Sequence, residues 1–257
     1  MTTDYAGGRT FDMGRVIGRA FEAIRANGLI LVPISIVLVG GPQVLSAVLS
    51  SGGGFGSDWS AMAGFGLLNF VLTLVGATIM QGATTHVVVE ALRGRKPTFG
   101  DTLSAALRAF WVLLGLGLVV GLAIGLGMIL LLVPGIIIAL MWCIVGPVAV
   151  AEGVGVGRAL ERSRDLTRNH RWVIFGLWVL YFIASVLFGA VIGGIGGGAI
   201  GAVGGAGAAT TALSTVVLPI LQAVFSIIGS AGVAALYVEL RTIKEGGDER
   251  NVAAIFD

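Results

Sequence analysis

The sequence is poor in charge. Only 12% of its 257 residues are Asp, Glu, Lys or Arg, against about 25% in an ordinary soluble domain, while 56% are hydrophobic. A water-soluble core of this length has no use for so much apolar surface. The mean hydropathy of +0.98 therefore makes lipid the expected solvent for much of the chain. The single cysteine, Cys143, lies in an apolar run and excludes an intrachain disulfide. Two histidines, His86 and His170, leave no cluster for a metal site, and neither a metal nor a cofactor is expected. Residues 1–27 carry Asp4, Arg9, Asp12, Arg15, Arg19, Glu22 and Arg25 with no apolar core among them, so a cleavable secretory signal is not expected.

What the sequence does have is long apolar runs. A bilayer core of about 30 Å needs about 20 residues of apolar helix, and six segments meet or approach that length: 28–50, 62–90, 109–131, 133–151, 172–194 and 211–240. The third and fourth meet at "LLLVPGI", where Pro134 has no backbone N–H and Gly135 bends freely, which predicts a tight turn. A single kinked helix through both would be twice as long as a bilayer is thick. The expected fold is all-α: a polytopic integral membrane protein of six transmembrane helices arranged as three hairpins. Residues 1–27 form an amphipathic segment, 28–241 the membrane domain and 242–257 a tail.

The charges follow the same plan. All sixteen Lys and Arg fall in four patches, Arg9 to Arg25, Arg93 to Arg108, Arg158 to Arg171 and Arg241 to Arg250. The turns near 51–61, 131–135 and 195–210 hold none. With six spans the four patches share one face, and basic residues in short loops mark the cytoplasm. The expected location is a bacterial cytoplasmic (inner) membrane with both termini inside. Asp58 is the one acid of fourteen placed outside.

A threefold pattern runs through the chain. "GRAFEAIR" (18–25) precedes span one, "GRALERSR" (157–164) precedes span five, and "GDTLSAALR" (100–108) more loosely precedes span three. In the first, Met13, Ile17, Ala20 and Ile24 share a face opposite Asp12, Arg15, Arg19 and Glu22, and in the last Leu160, Ser163 and Leu166 oppose Arg158, Arg162 and Asp165. Each hairpin is thus expected to follow a cytoplasmic interfacial amphipathic helix. The even-numbered spans end in "VVVE" at Glu90, "AVAE" at Glu152 and "LYVE" at Glu239. These glutamates either pair with basic residues of a neighbouring amphipathic helix, for instance Arg108, Arg171 or Arg25, or sit in headgroup water.

Four groups of residues could carry function. The stretch "EGVGVGRALERSRDLTRNHRW" (152–172) packs five arginines into twenty-one residues. Acids interleave them, so a nucleic-acid surface is not expected. They either anchor the positive-inside face or hold anionic lipid headgroups through Arg158, Arg162, Arg168 and Arg171 beside Trp172. Glycines recur every four residues at Gly117, Gly121 and Gly125, and at Gly189, Gly193 and Gly197, a spacing that lets helices pack closely, within one subunit or between copies in a homo-oligomer. Gly194, Gly196 and Ala199 fit G-x-G-x-x-A but lack the strand and the βαβ unit that a phosphate loop requires. Asn69, Thr73 and Gln81 on span two, and Gln222 and Ser226 on span six, are expected in the bundle interior, where they either bridge helices or line a polar path. Finally, His86 and Glu90 stand one helical turn apart with no nucleophile placed to serve them, so no catalytic residue is assigned and an enzyme is not expected.

The residues "VGPVAVAEGVGVGRALERSRDLTRNHRW" and the later "ALYVELRTIKEG" resemble the membrane-domain family named after glycerophosphoryl diester phosphodiesterase, with its six-span bacterial relatives. In the enzymes that name that family the membrane part is joined to a separate catalytic barrel, for which the residues after Arg241 leave no room. The resemblance therefore implies a helical inner-membrane bundle working near phospholipid and transfers no catalytic residues. The expected function is non-enzymatic: binding or organising anionic phospholipid or membrane partners, including further copies of itself. The alternative is a passive transporter or lipid-translocating protein with a polar path along spans two and six.

Overall fold

The computed structural model describes residues 11–51, 59–202 and 216–245. Every regular element among them is helical. Six stretches are long and apolar enough to cross a membrane: Met13–Leu49, Met62–Leu92, Phe99–Leu130, Leu132–Glu152, Arg171–Val191 and Leu218–Glu245. Residues 52–58, the 203–210 part of the expected outer turn, the first five residues of the expected sixth span and the tail beyond Glu245 lie outside the described residues.

Helix α1 (Met13–Ser35) starts at Asp12, whose carboxylate accepts from the backbone N–H of Gly14 at 2.8 Å and of Arg15 at 3.4 Å, satisfying donors that the first turn leaves open. Asn27 breaks the helical path (φ −126°, ψ 18°), and its side-chain amide donates to the carbonyl of Ala23 at 3.2 Å. The segment expected to be amphipathic and the first apolar run thus meet at a kink, at the 27/28 boundary read from composition. Pro33 follows, then a π-helical turn (Ile36–Gly40) and α2 (Gly41–Ser51). The wide turn pushes the carbonyl of Leu38 against α3 (Trp59–Leu92) at Gly76, where any Cβ would collide with it. Glycine is the residue that fits.

Helix α4 (Phe99–Leu130) is capped by Thr98, whose hydroxyl oxygen accepts from the N–H of Asp101 at 3.2 Å. The amphipathic residues 100–108 run into the span without a break. The chain then reverses at Leu131, three residues before Pro134, which sits in the first turn of α5 (Leu132–Met141) where its missing N–H costs nothing. Gly127 and Gly135 let α4 and α5 touch, since a Cβ on Gly127 would lie 3.0 Å from the Cα of Gly135.

The fourth span is not one helix. It breaks at 142–144 and resumes as α6 (Val145–Glu152), with Pro147 again in a first turn. The carbonyl of Met141 is left without a helical partner, and α7 (Val156–Thr167) supplies one: the hydroxyl of Ser163 donates to it at 3.0 Å, with the Thr167 hydroxyl 3.2 Å away but nearer, at 2.9 Å, to the Ser163 carbonyl. Both side chains are fully buried. The side of α7 read as its apolar face is therefore pressed against a broken span, and its polar atoms repair the break. Gly153, at φ 63°, turns the chain from α6 toward α7.

Helix α8 (Arg171–Ala202) and helix α9 (Leu218–Glu245) complete the bundle. The main hydrophobic cluster joins Val16, Ala20 and Ala23 of α1 to Val88 of α3, Leu116 of α4, Val148 of α6, Leu166 of α7, Ile174 of α8 and Tyr237 and Leu240 of α9. The start of α1, the end of α3, α7, the start of α8 and the end of α9 thus share one end of the molecule, and this end carries the ionic residues. Away from it the surface is an apolar sheath, with Leu29, Leu118, Ile129, Phe182 and Leu187 all exposed. Water does not tolerate so large a continuous apolar surface; hydrocarbon does.

Candidate functional site: the ionic end of the bundle

Glu239, three residues past Leu236 on α9, is completely buried. Its two oxygens each receive an arginine, Arg15 at 2.7 Å and Arg19 at 2.8 Å. The arginines are four apart on α1, so one helix face presents both guanidinium groups to one carboxylate. A carboxylate withdrawn from water is tolerable only with such partners. The pair clamps the amphipathic start of α1 to the end of α9.

Glu152 belongs to a second, closed circuit. It accepts from Arg162 Nε at 3.2 Å and from the Tyr237 hydroxyl at 3.1 Å. Arg162 also pairs with Glu245, Glu245 with Arg241 at 2.8 Å, and Arg241 reaches back to the Tyr237 hydroxyl at 3.4 Å. Lys244 adds a bond to the Asp165 carbonyl. The circuit ties the end of α6, the middle of α7 and the end of α9 into one unit. Glu90 is held locally, by Arg93 at 3.0 Å and Arg95 at 3.6 Å across the turn after α3.

All three glutamates are paired, Glu239 and Glu152 with arginines of the segments expected to be amphipathic, but at Arg15, Arg19 and Arg162 rather than at Arg25, Arg108 or Arg171. Arg108 bonds instead to its own helix at Ser104, and among the described residues neither Arg25 nor Arg171 meets a carboxylate. Spacing gave no warning of the Arg15 and Arg19 contacts, which join the first turns of α1 to the end of α9. Tyr237 was missed altogether. Its signal was chemical: a phenol near a span's charged terminus seeks a polar partner for its hydroxyl.

The arginine stretch divides in two. Arg162 is committed to Glu152 and Glu245, so its expected role at lipid headgroups is corrected to a structural one. Arg158 and Arg168 are exposed, as is Arg164, and among the described residues none of the three makes an ion pair, even with the nearby Glu161 or Asp165. Arg171 is half-buried, and its Nε is enclosed with no hydrogen-bond partner among the described residues. Trp172 is 86% exposed and meets Phe175 edge to face at 6.3 Å. A cationic rim beside an exposed indole can receive an anionic headgroup.

Other expectations need correcting. Gly117, Gly121, Gly125, Gly189 and Gly193 face open space, and nothing lies within 4 Å of where a Cβ would stand. Among the described residues they pack against no other helix. The surroundings of Gly197 fall outside the described residues. Close approach happens elsewhere, at Gly76, Gly127, Gly135 and Gly229. Gln222 is exposed rather than interior, because the inward face of α9 runs through Ala223, Ile227 and Ala231. Asn69 and Thr73 are half-buried. Gln81 is half-buried against Gly146, and Ser226 donates to the Ala223 carbonyl of its own helix at 2.6 Å. The fully buried hydroxyls of α3 are those of Thr84 and Thr85.

Six apolar helices with their ionic residues gathered at one end define the class: an all-helical chain of the multi-pass membrane type. The chain belongs to the family described as "Domain of unknown function (DUF7847)", which matches residues 11–240. No curated protein and no solved structure matches it.

Proposed function

We propose that this is a non-enzymatic protein of a bacterial cytoplasmic membrane that binds and organises anionic phospholipid at its ionic end. Both termini are in the cytosol, and homo-oligomers form through the outward glycine stripes of α4 and α8. In this reading the spans are three hairpins, and the start of α1, the start of α4 and α7 lie at the cytosolic interface. The observation that carries it is the division of labour on α7. Arg162 faces inward and locks the helix in place, while Arg158, Arg164 and Arg168 face outward beside Arg171 and Trp172. Exposed cations with no counter-ion among the described residues favour an anionic surface by about 1 kcal/mol each. The resemblance to the glycerophosphoryl diester phosphodiesterase membrane-domain family supports the same neighbourhood. The polar-path alternative draws less support, because Ser226 and Ser230 bond to their own helix carbonyls and Gln222 faces outward.

The test is lipid competition in nanodiscs, read by native mass spectrometry. R158Q/R164Q/R168Q should weaken the preference for phosphatidylglycerol over phosphatidylcholine about 100-fold, as about 3 kcal/mol implies. An unchanged preference in a folded triple variant contradicts the proposal.

A further inference from the structure

Helix α8 touches the rest of the molecule at two levels and stands off between them. At its start, Ile174 is fully buried, Met13 reaches Gly176, and Phe11 lies 5.7 Å from His170, ring centre to ring centre. Further along, Tyr181 presses its hydroxyl against Gly229, and Phe225 stacks with Tyr181 at 5.8 Å and Phe188 at 4.3 Å. Between these contacts lies a cavity of about 600 Å³, within the range of about 300–1,000 Å³ usual for small-ligand sites. Its walls are α8 on one side and α1, α3, Pro147 of α6 and α9 on the other.

We infer that this cavity is a lateral site for one acyl chain of a membrane lipid, held in the leaflet at the ionic end. Three observations carry the inference. The first is length: along α9 the lining runs from Leu236 to Phe225, about 16 Å at about 1.5 Å per residue, which matches one leaflet of a hydrocarbon core about 30 Å thick.

The second is access. The Phe11–His170 and Met13–Gly176 contacts close the end toward the ionic residues, whereas the rim residues Ile17, Phe21, Trp178 and Tyr181 are exposed. Entry is therefore sideways, from where hydrocarbon would be.

The third is chemistry. The serine hydroxyls in the lining are already engaged, Ser226 donating to the Ala223 carbonyl at 2.6 Å and Ser230 to the Ser226 carbonyl at 2.8 Å, while the Tyr181 hydroxyl is pressed against Gly229. The rest of the wall is predominantly aliphatic or aromatic. Such a wall offers a polar solute little and suits a methylene chain. The upper end lies one helical turn below the Glu239 pair with Arg15 and Arg19. A chain seated here puts its ester and phosphate at the level of the arginines.

The inference deepens the lipid-binding proposal and rests on it, but its test is separable. Photoactivatable phospholipids with a diazirine at either end of one acyl chain are incorporated into nanodiscs with the whole protein, and crosslinks are mapped by peptide mass spectrometry. The label at the chain end should react near Phe225 and Ser226, and the label near the ester near Val233 and Leu236. Gly232→Leu should cut both by at least about fivefold, since open space beside Gly232 lets the side chain fill the cavity without a clash. The α7 variant R158Q/R164Q/R168Q should keep these crosslinks while losing headgroup preference, so either claim can fail alone. Crosslinks confined to outward positions such as Leu118 and Ile129, or labelling of α9 without depth order, would overturn the inference. So would full crosslinking in a folded Gly232→Leu.

Discussion

Glu239 stands at the point where the chain's ends are fastened together, buried and doubly paired on α9. Removing a buried partner leaves the opposite charges uncompensated, which costs about 3–5 kcal/mol when both sides are fully enclosed. Arg15 and Arg19 keep 37% and 22% of their side-chain surface and can turn toward water, so a smaller penalty applies. Glu239→Ala is expected to lower stability by about 2–3 kcal/mol and to raise amide exchange in residues 13–20. Arg19→Ala should cost less than half as much, because Arg15 remains. Equal melting temperatures for Glu239→Ala and the parent in detergent would show that the clamp contributes nothing.

At the scale of elements, the break between α5 and α6 depends on a helix from elsewhere in the chain. Ser163 gives the Met141 carbonyl its donor, with the Thr167 hydroxyl within reach of the same oxygen, and an unsatisfied buried acceptor costs about 1–3 kcal/mol. The double variant S163A/T167V should therefore destabilise by about that amount and speed exchange at 142–146, leaving α3 unaffected. No change in either would mean that another group satisfies the carbonyl. Elements were unevenly legible in the sequence. The second span, expected at 62–90, is the apolar stretch Met62–Leu92, because continuous hydropathy reports length faithfully. The break at 142–144 left no trace in hydropathy, but Pro147 marks it, since it cannot donate to the carbonyl of Cys143 and is best tolerated in a helix's first turn; the donor that satisfies the Met141 carbonyl lies 22 residues away. The glycine stripes misled for a related reason. A period of four says that one face of a helix is smooth, not what that face meets, and here Gly117, Gly121 and Gly125 meet nothing among the described residues. The glutamates were recognised as a set from their shared position at span ends. Their partners depended on which helices meet at the ionic end, which no local pattern encodes.

For the molecule as a whole, the proposed orientation ties these parts together. The Glu239 clamp, the Glu152–Arg162–Glu245–Arg241–Tyr237 circuit and the outward arginines of α7 share one end of the bundle, and that end is proposed to face the cytosol. Cysteine labelling in intact cells tests this most directly. In a Cys143→Ser background, single cysteines replace Ser60 near the start of α3, Ser104 near the start of α4, or Glu161 on α7, all of them exposed. A membrane-impermeant maleimide should label S60C in intact cells and reach S104C and E161C only after lysis. Labelling of E161C or S104C before lysis, or protection of S60C, would contradict the account.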